Sequence, residues 1–240
     1  MCTVSFYKNN NQTIITSNRD EHYSRKLALP PQEYGFENFK LIYCKDTQAN
    51  GTWMTLRNDG TVIVLLNGAF ERHVPKYPYR KSRGLVVLDI SNAENCVEEL
   101  TKYDLDNIEP FTMILYFGET LFEFFWDGKE KMLIENPHNE PWLWSSATLY
   151  DVEARENKLE RFQELLASKN ELTKDDILQL HHSKTDLING FVINRNEQLL
   201  TFSVTQVVLT PTGNTFYHHN LLEDKEYSVN LHAASEKSIL

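Results

Sequence analysis

The chain opens on a pattern that an extended strand satisfies and a helix does not. Cys2, Val4 and Phe6 alternate with Thr3, Ser5 and Tyr7, and a period of two marks a strand with one buried face. Asn9-Asn10-Asn11-Gln12 is a polar turn, after which Thr13-Ile14-Ile15-Thr16 returns as a second strand. A tight hairpin that starts at the second residue brings the segment after its second strand back beside Cys2. That segment is Thr16-Ser17-Asn18-Arg19-Asp20-Glu21.

Further strands are expected at Leu41-Ile42-Tyr43, at Trp53 to Leu56 and at Thr61 to Leu66, the last two joined through Asn58-Asp59-Gly60, because Asp-Gly tolerates positive φ. Gly84 to Ile90 and Ala93 to Tyr103 read as helices, with Ser91 or Asn92 as a cap. Phe111 to Phe117 and Leu121 to Trp126 form another hairpin, extended by Lys131 to Ile134. Val152 to Ser168 is a long helix with Leu159, Phe162, Leu165 and Leu166 at helical spacing. Thr173 caps a second one, Lys174 to His181, with Asp175 and Asp176 in its first turn. Late strands lie at Leu199 to Phe202, Val204 to Leu209 and Thr215 to Tyr217. Strands fill both ends and helices the middle, in blocks, which favours an α+β layered fold over a parallel α/β one.

Composition closes several alternatives. The 240 residues suit one large domain, 1–240, with a sizeable core. A formal charge of −10 argues against a nucleic-acid partner, since phosphate binding needs clustered Lys and Arg. The basic clusters are short, Arg19 to Lys26 and Lys76 to Arg83. No run approaches the roughly 20 apolar residues of a membrane span, and the first residues lack a signal-peptide layout. Cys2, Cys44 and Cys96 form no disulfide framework. A cytoplasmic protein is expected.

Two features carry chemistry. With Met1 removed, Cys2 would hold a thiol and a free α-amine together, and an α-amine with pKa near roughly 7.7–8.0 is able to take a proton at neutral pH. A nucleophile beside its own base is the arrangement of N-terminal-nucleophile hydrolases; the plainer alternative is a small buried hydrophobe at the start of a strand. Arg19, returned to Cys2 by the hairpin, would lower the thiol pKa and fix a carbonyl or carboxylate. Asp20 would accept from the α-ammonium group or orient Arg19. The histidines, including His181-His182 and His218-His219, lack ligand spacing, so no metal is expected. No cofactor is expected either.

Met1-Cys2-Thr3-Val4 followed by Asn18-Arg19-Asp20-Glu21 resembles the NRDE family, also called the transport-and-Golgi-organisation-2 family. Asn50-Gly51-Thr52-Trp53, Leu66-Asn67-Gly68 and Arg80-Lys81-Ser82-Arg83-Gly84 agree with it in order, so the resemblance runs through about the first 90 residues. It implies a four-layer αββα fold similar to N-terminal-nucleophile hydrolases of the choloylglycine-hydrolase and penicillin V acylase type. It also implies cleavage of a small amide-containing substrate, with Cys2 as nucleophile, Arg19 and Asp20 beside it, and Asn67 as an oxyanion donor. Asn67 read alone is equally a good turn residue. Asn18, Tyr79 on a rigid rim, Ser146 and Gln206 are the candidate substrate contacts.

The chain departs from the family pattern at two places. Ser145-Ser146-Ala147 stands where Ser-Asn-Ala is usual, and Ser203-Val204-Thr205-Gln206 where Arg-Ser-Ser-Thr is usual, which removes a second active-site Arg. These departures keep open a non-catalytic alternative, a binding or trafficking protein for a haem- or lipid-related metabolite on the same scaffold. Oligomeric state is not indicated.

Overall fold

The opening alternation is realised as strand β1 (Cys2–Lys8), antiparallel to β2 (Thr13–His22). The computed structural model describes residues 2–232, the side chains of Cys2 and His232 excepted; Met1, and with it the expected processing step, lies outside the described residues. β2 is longer than its apolar run suggests. It continues through Asn18, Arg19 and Asp20, because a second strand covers its other edge from Leu199 to Leu209.

Strands β3 (Gln32–Gly35), β4 (Lys40–Tyr43), β5 (Met54–Arg57), β6 (Val62–Asn67), β7 (Phe111–Phe117), β8 (Thr120–Trp126) and β9 (Lys131–Asn136) form one antiparallel sheet in sequence order. The other sheet contains β10 (Trp142–Ser145), β11 (Asn194–Arg195), β12 (Leu199–Thr210), β13 (Gly213–Asn220) and β14 (Lys225–His232). Its order is β10-β1-β2-β12-β13-β14, with β11 on β12. The two strands expected between Leu199 and Leu209 are one strand, β12, with a bulge between Thr201 and Ser203.

The sheets face each other across Val4, Phe6, Ile15, Val207 and Phe216 on one side and Met54, Leu56, Val62, Val64 and Leu66 on the other. Helices α1 (Arg83–Ser91) and α2 (Cys96–Lys102) cover the outer face of the β3–β9 sheet through Val86, Val87, Ile90 and Leu100. Helices α3 (Val152–Ser168) and α4 (Lys174–His181) cover the other outer face through Phe162 and Ile177 against Ile14 and Val208. The result is the expected αββα sandwich. β6 reads as an unbroken apolar run because both of its faces are covered, each fully buried aliphatic side chain contributing about 1.5–3 kcal/mol.

The caps follow sequence chemistry. Thr173 and Asp176 form a reciprocal capping box on α4, and Ser82 caps α1. α2 is N-capped by Asn95, while Asn92 is the C-cap of α1. Ser91 still belongs to α1, buried with its hydroxyl 2.8 Å from that of Thr55. The inward stripe of α3 runs through Ala154, Lys158 and Phe162, while Leu159 is 40% exposed. The stripe therefore carries a buried lysine where the apolar spacing pointed to Leu159.

Candidate functional site

Three strands set the centre of the site. Cys2 on β1 pairs with Arg19 on β2, and Arg19 pairs with Ser203 on β12, so the three residues share one line across the sheet. Cys2 is described by its backbone alone. The Arg19 side chain is buried and donates to Asp46 Oδ2 at 2.7 Å, lies 3.4 Å from Glu21, and stacks 4.5 Å from the Trp53 ring. A charge taken out of water survives only when paired and hydrogen-bonded, and Asp46 supplies that pairing.

Asp46 is prepared for the task by its loop. Its Oδ1 accepts the backbone N–H groups of Gln48 and Ala49, and Arg25 clamps both oxygens at 3.0 Å. Burial alone would raise this carboxyl's pKa, but the Ala49 N–H and the Arg25 guanidinium outweigh it and hold the pKa below the usual value.

These groups border a cleft of about 800 Å³, further lined by Asn67, Tyr77, Tyr79, Arg80, Arg83 and Glu109. That volume suits a small organic ligand. One wall depends on two glycines. The Thr52 N–H donates to Gly84 O at 3.1 Å, and a Cβ on Gly51 would stand 2.3 Å from the Gly84 carbonyl carbon. The close approach seats the N-terminus of α1 against the loop that carries Trp53. Both short basic clusters of the sequence meet here: Arg19 and Arg25 from one, Arg80, Lys81 and Arg83 from the other, against Glu21, Asp46 and Glu109. Arg83 is tied to Glu109 at 2.9 Å and to the Pro110 carbonyl at 3.0 Å.

Asn67 ends β6 on the cleft. Its backbone carbonyl accepts from Ser146 Oγ at 2.7 Å, and Gly68, at φ +79°, then turns the chain away. Among the described residues no hydrogen bond engages the Asn67 side-chain amide. The Tyr79 hydroxyl accepts the Lys76 N–H at 2.8 Å, folding the rim loop back on itself.

The opposite face of β1 and β2 carries a different network. The Asp20 carboxylate accepts from Tyr150 at 2.8 Å and Thr201 at 2.6 Å. The Asn18 amide donates to the carbonyls of His181 and Phe191, and its oxygen accepts from His181 Nδ1. His181 Nε2 then accepts the Ser5 hydroxyl at 2.7 Å, so a neutral imidazole satisfies both contacts. Lys158 reaches from α3 to Thr3 Oγ1 at 2.7 Å and lies 3.5 Å from the Tyr150 ring centre. Burial raises the Asp20 pKa, pulls Lys158 down to about 7 and holds His181 well below its ordinary range. Gln206 donates to Thr16 Oγ1 and the Lys174 carbonyl, both at 3.0 Å.

The structure therefore brings Arg19, Asn67 and Tyr79 to the cleft, pairs the backbone of Cys2 with that of Arg19, and uses Ser146 to hold Asn67. It does not bring Asn18, Asp20 or Gln206 there. Their side chains lie under α3 and α4, because β2 stays extended through Asp20 and alternate residues of a strand face opposite sides. Asp46 was not singled out in the sequence. Its only signal was an acidic residue shortly before Asn50-Gly51, the pattern of a side chain that bonds backbone N–H groups just downstream. Three buried polar atoms near Arg19 lack a hydrogen-bond partner: Ser17 Oγ, Ser203 Oγ and Trp53 Nε1. Cys44 and Cys96 are buried thiols whose pKa values burial raises, that of Cys96 to about 11. Among the described residues no group of three or more His, Cys, Asp and Glu side chains is placed to hold a metal.

The sequence profile of the family described as Transport and Golgi organisation 2 matches residues 1–216. The chain belongs to this family. No curated protein matches it significantly. Among solved structures, two variants of the conjugated bile acid hydrolase from Clostridium perfringens are similar, each with TM-score 0.56 and 10% identity over 96% of this chain and 92% of theirs. An N-acylethanolamine-hydrolyzing acid amidase ortholog from Caenorhabditis elegans gives TM-score 0.57 and 12% identity over 88% and 93%. At such identities the likeness shows the fold, which this family member shares with N-terminal-nucleophile hydrolases. No helix among the described residues is long and apolar enough to cross a membrane.

Proposed function

We propose that the chain is a cysteine-type N-terminal-nucleophile amidohydrolase acting on a small amide-containing substrate after loss of Met1. The observation that carries this reading is the register pairing of Cys2 with Arg19 at a cleft that also receives Asn67. The α-amine of Cys2 takes the thiol proton, and the thiolate attacks the amide carbon. The oxyanion accepts from the Asn67 amide, a donor of a kind worth about 2.7–4 kcal/mol in the transition state. The C–N bond breaks as the ammonium returns its proton to the departing amine. Water then hydrolyses the thioester, giving one proton to the α-amine, which passes it back to the thiolate. Arg19 favours the thiolate by its charge, and Asp46 keeps Arg19 in place. In this reading residues 1–240 act as one domain, since both sheets contribute to the cleft.

Intact-mass measurement of fresh protein, before and after a thiol-reactive acyl probe, tests the proposal. Loss of one Met and a single adduct at Cys2, abolished in Cys2→Ala, is expected. Retained Met1 with an unreactive Cys2 would remove the chemistry and leave ligand binding as the role of the cleft.

A further inference from the structure

β9 ends its sheet, with β8 on one side and no strand beyond it among the described residues. Its residues Lys131 to Glu135 are all exposed, and the centre is apolar: Met132 is 40% exposed, Leu133 36% and Ile134 38%. Free edges are normally guarded by inward charges, prolines, bulges or covering loops. Here the register with β8 is regular from Trp126 opposite Lys131 to Leu121 opposite Asn136, so no bulge interrupts the edge. The apolar surface also continues inward. Met132 lies opposite Phe125, whose ring stacks on half-exposed Phe70 at 4.6 Å.

We propose that β9 is the edge through which two copies of this chain pair antiparallel, joining their seven-stranded sheets into one continuous sheet. The charge pattern selects both the occupant and the register. Centred on Leu133 and reversed, Lys131-Met132-Leu133-Ile134-Glu135 complements itself. Lys131 of each copy faces Glu135 of the other, Met132 faces Ile134, and Leu133 faces its own mate. Any other register within the strand loses both ion pairs. Such a contact is isologous, as closed two-fold dimers require.

The ends of the strand fit this pairing. The Lys131 ammonium donates to the carbonyls of Thr101 and Tyr103 at 2.8 and 2.6 Å, which fixes it at the strand end and leaves its third N–H for a partner. Pro137, directly after Asn136, lacks the N–H that a longer ladder would need. The contact is short, so the dimer is weak and dissociates on dilution.

Sedimentation velocity across micromolar to submillimolar concentrations tests the proposal. The wild-type chain is expected to dimerise with concentration. Lys131→Glu and Glu135→Lys each place like charges opposite one another twice, and weaken the dimer by about tenfold or more. An equimolar mixture of the two variants restores both ion pairs and recovers a heterodimer. Leu133→Lys, on an exposed position, gives a folded monomer by circular dichroism. A wild type that stays monomeric throughout, a mixture of folded variants that does not associate, or a Leu133→Lys dimer as tight as wild type overturns the proposal.

Discussion

Arg19 and Asp20 are consecutive residues of β2 whose side chains serve opposite faces of one sheet: the guanidinium binds Asp46 in the cleft, and the carboxylate binds Tyr150 and Thr201 beneath α3. The site is thus built in two depths. One side of the hairpin meets the cleft, and the other anchors the hairpin to its helices through Thr3, Ser5, Asn18 and Asp20.

This separation predicts different consequences for neighbouring substitutions. Arg19→Met removes one of two cations from Asp46 and is expected to cost about 3 kcal/mol, near the lower end for breaking a buried pair because Arg25 remains. It also raises the pH at which Cys2 is alkylated, since the thiolate loses a nearby cation. Asp20→Asn keeps the size but offers Tyr150 and Thr201 one acceptor in place of two, at about 1–3 kcal/mol. Its alkylation profile stays at the wild-type position. Urea unfolding and iodoacetamide rates against pH measure both effects, and an equal displacement of the two profiles would contradict the arrangement.

The hairpin, α3 and α4 were legible because each rests on local information: alternation, turn residues and caps. The element pattern gave only an α+β layered fold, and the αββα layering came through the family resemblance. The extension of β2 was not. Asn18-Arg19-Asp20 has poor strand propensity, and the groups that satisfy it, Asp46, Tyr150, His181 and Thr201, are remote in sequence. Lys158 shows the same limit, since a lysine on an amphipathic helix reads as solvated until Asp20, Thr3 and Tyr150 are placed around it. β14 was readable in principle, because Tyr227, Val229 and Leu231 alternate with Glu226, Ser228 and Asn230.

Gly51 and Gly84 provide a test of the cleft wall. A methyl group on Gly51 meets Gly84 C at 2.3 Å and Leu85 N at 2.6 Å, and both are backbone atoms that cannot rotate away. Gly51→Ala is therefore expected to cost about 1–3 kcal/mol, the usual range for forced overpacking. Gly118→Ala has open space around it but a φ of +57°, so it carries only a local conformational penalty of about 1 kcal/mol. Thermal unfolding of the two variants should rank them in that order. Gly51→Ala should in addition weaken any ligand of the cleft, whereas Gly118→Ala should not.

Lys158 predicts a dependence on the alkaline side. Burial, opposed in part by Asp20, brings its pKa from 10.5 to about 7. Between those values the unfolded chain holds a proton that the native chain releases. Stability therefore falls as pH drops from about 10 to about 7, by up to about 1.4 kcal/mol per unit. Lys158→Met lacks this slope. Unfolding free energies at pH 7, 8 and 9 for the two proteins give the comparison, and parallel curves would mean that the native lysine keeps its proton.

On the acid side the governing residue is His218, hydrogen-bonded to Thr205 at 2.9 Å behind Trp53. Burial first, and Arg19 second, lower its pKa from 6.5 to about 4. Below pH 6.5 the unfolded chain takes up a proton that the native imidazole refuses, so stability is lost as pH falls from about 6.5 to about 4. The loss reaches about 1.4 kcal/mol per unit from this residue. His181, also held neutral, adds to it, while Asp20, with its raised carboxyl, opposes it at the acid end. The difference between wild type and His218→Gln isolates the one group. The variant should lose some stability at pH 7.5 through poorer packing against Trp53, yet lose less than wild type on going from pH 6.5 to 5. Curves that stay the same distance apart would mean that His218 titrates in the native protein as it does in the unfolded chain.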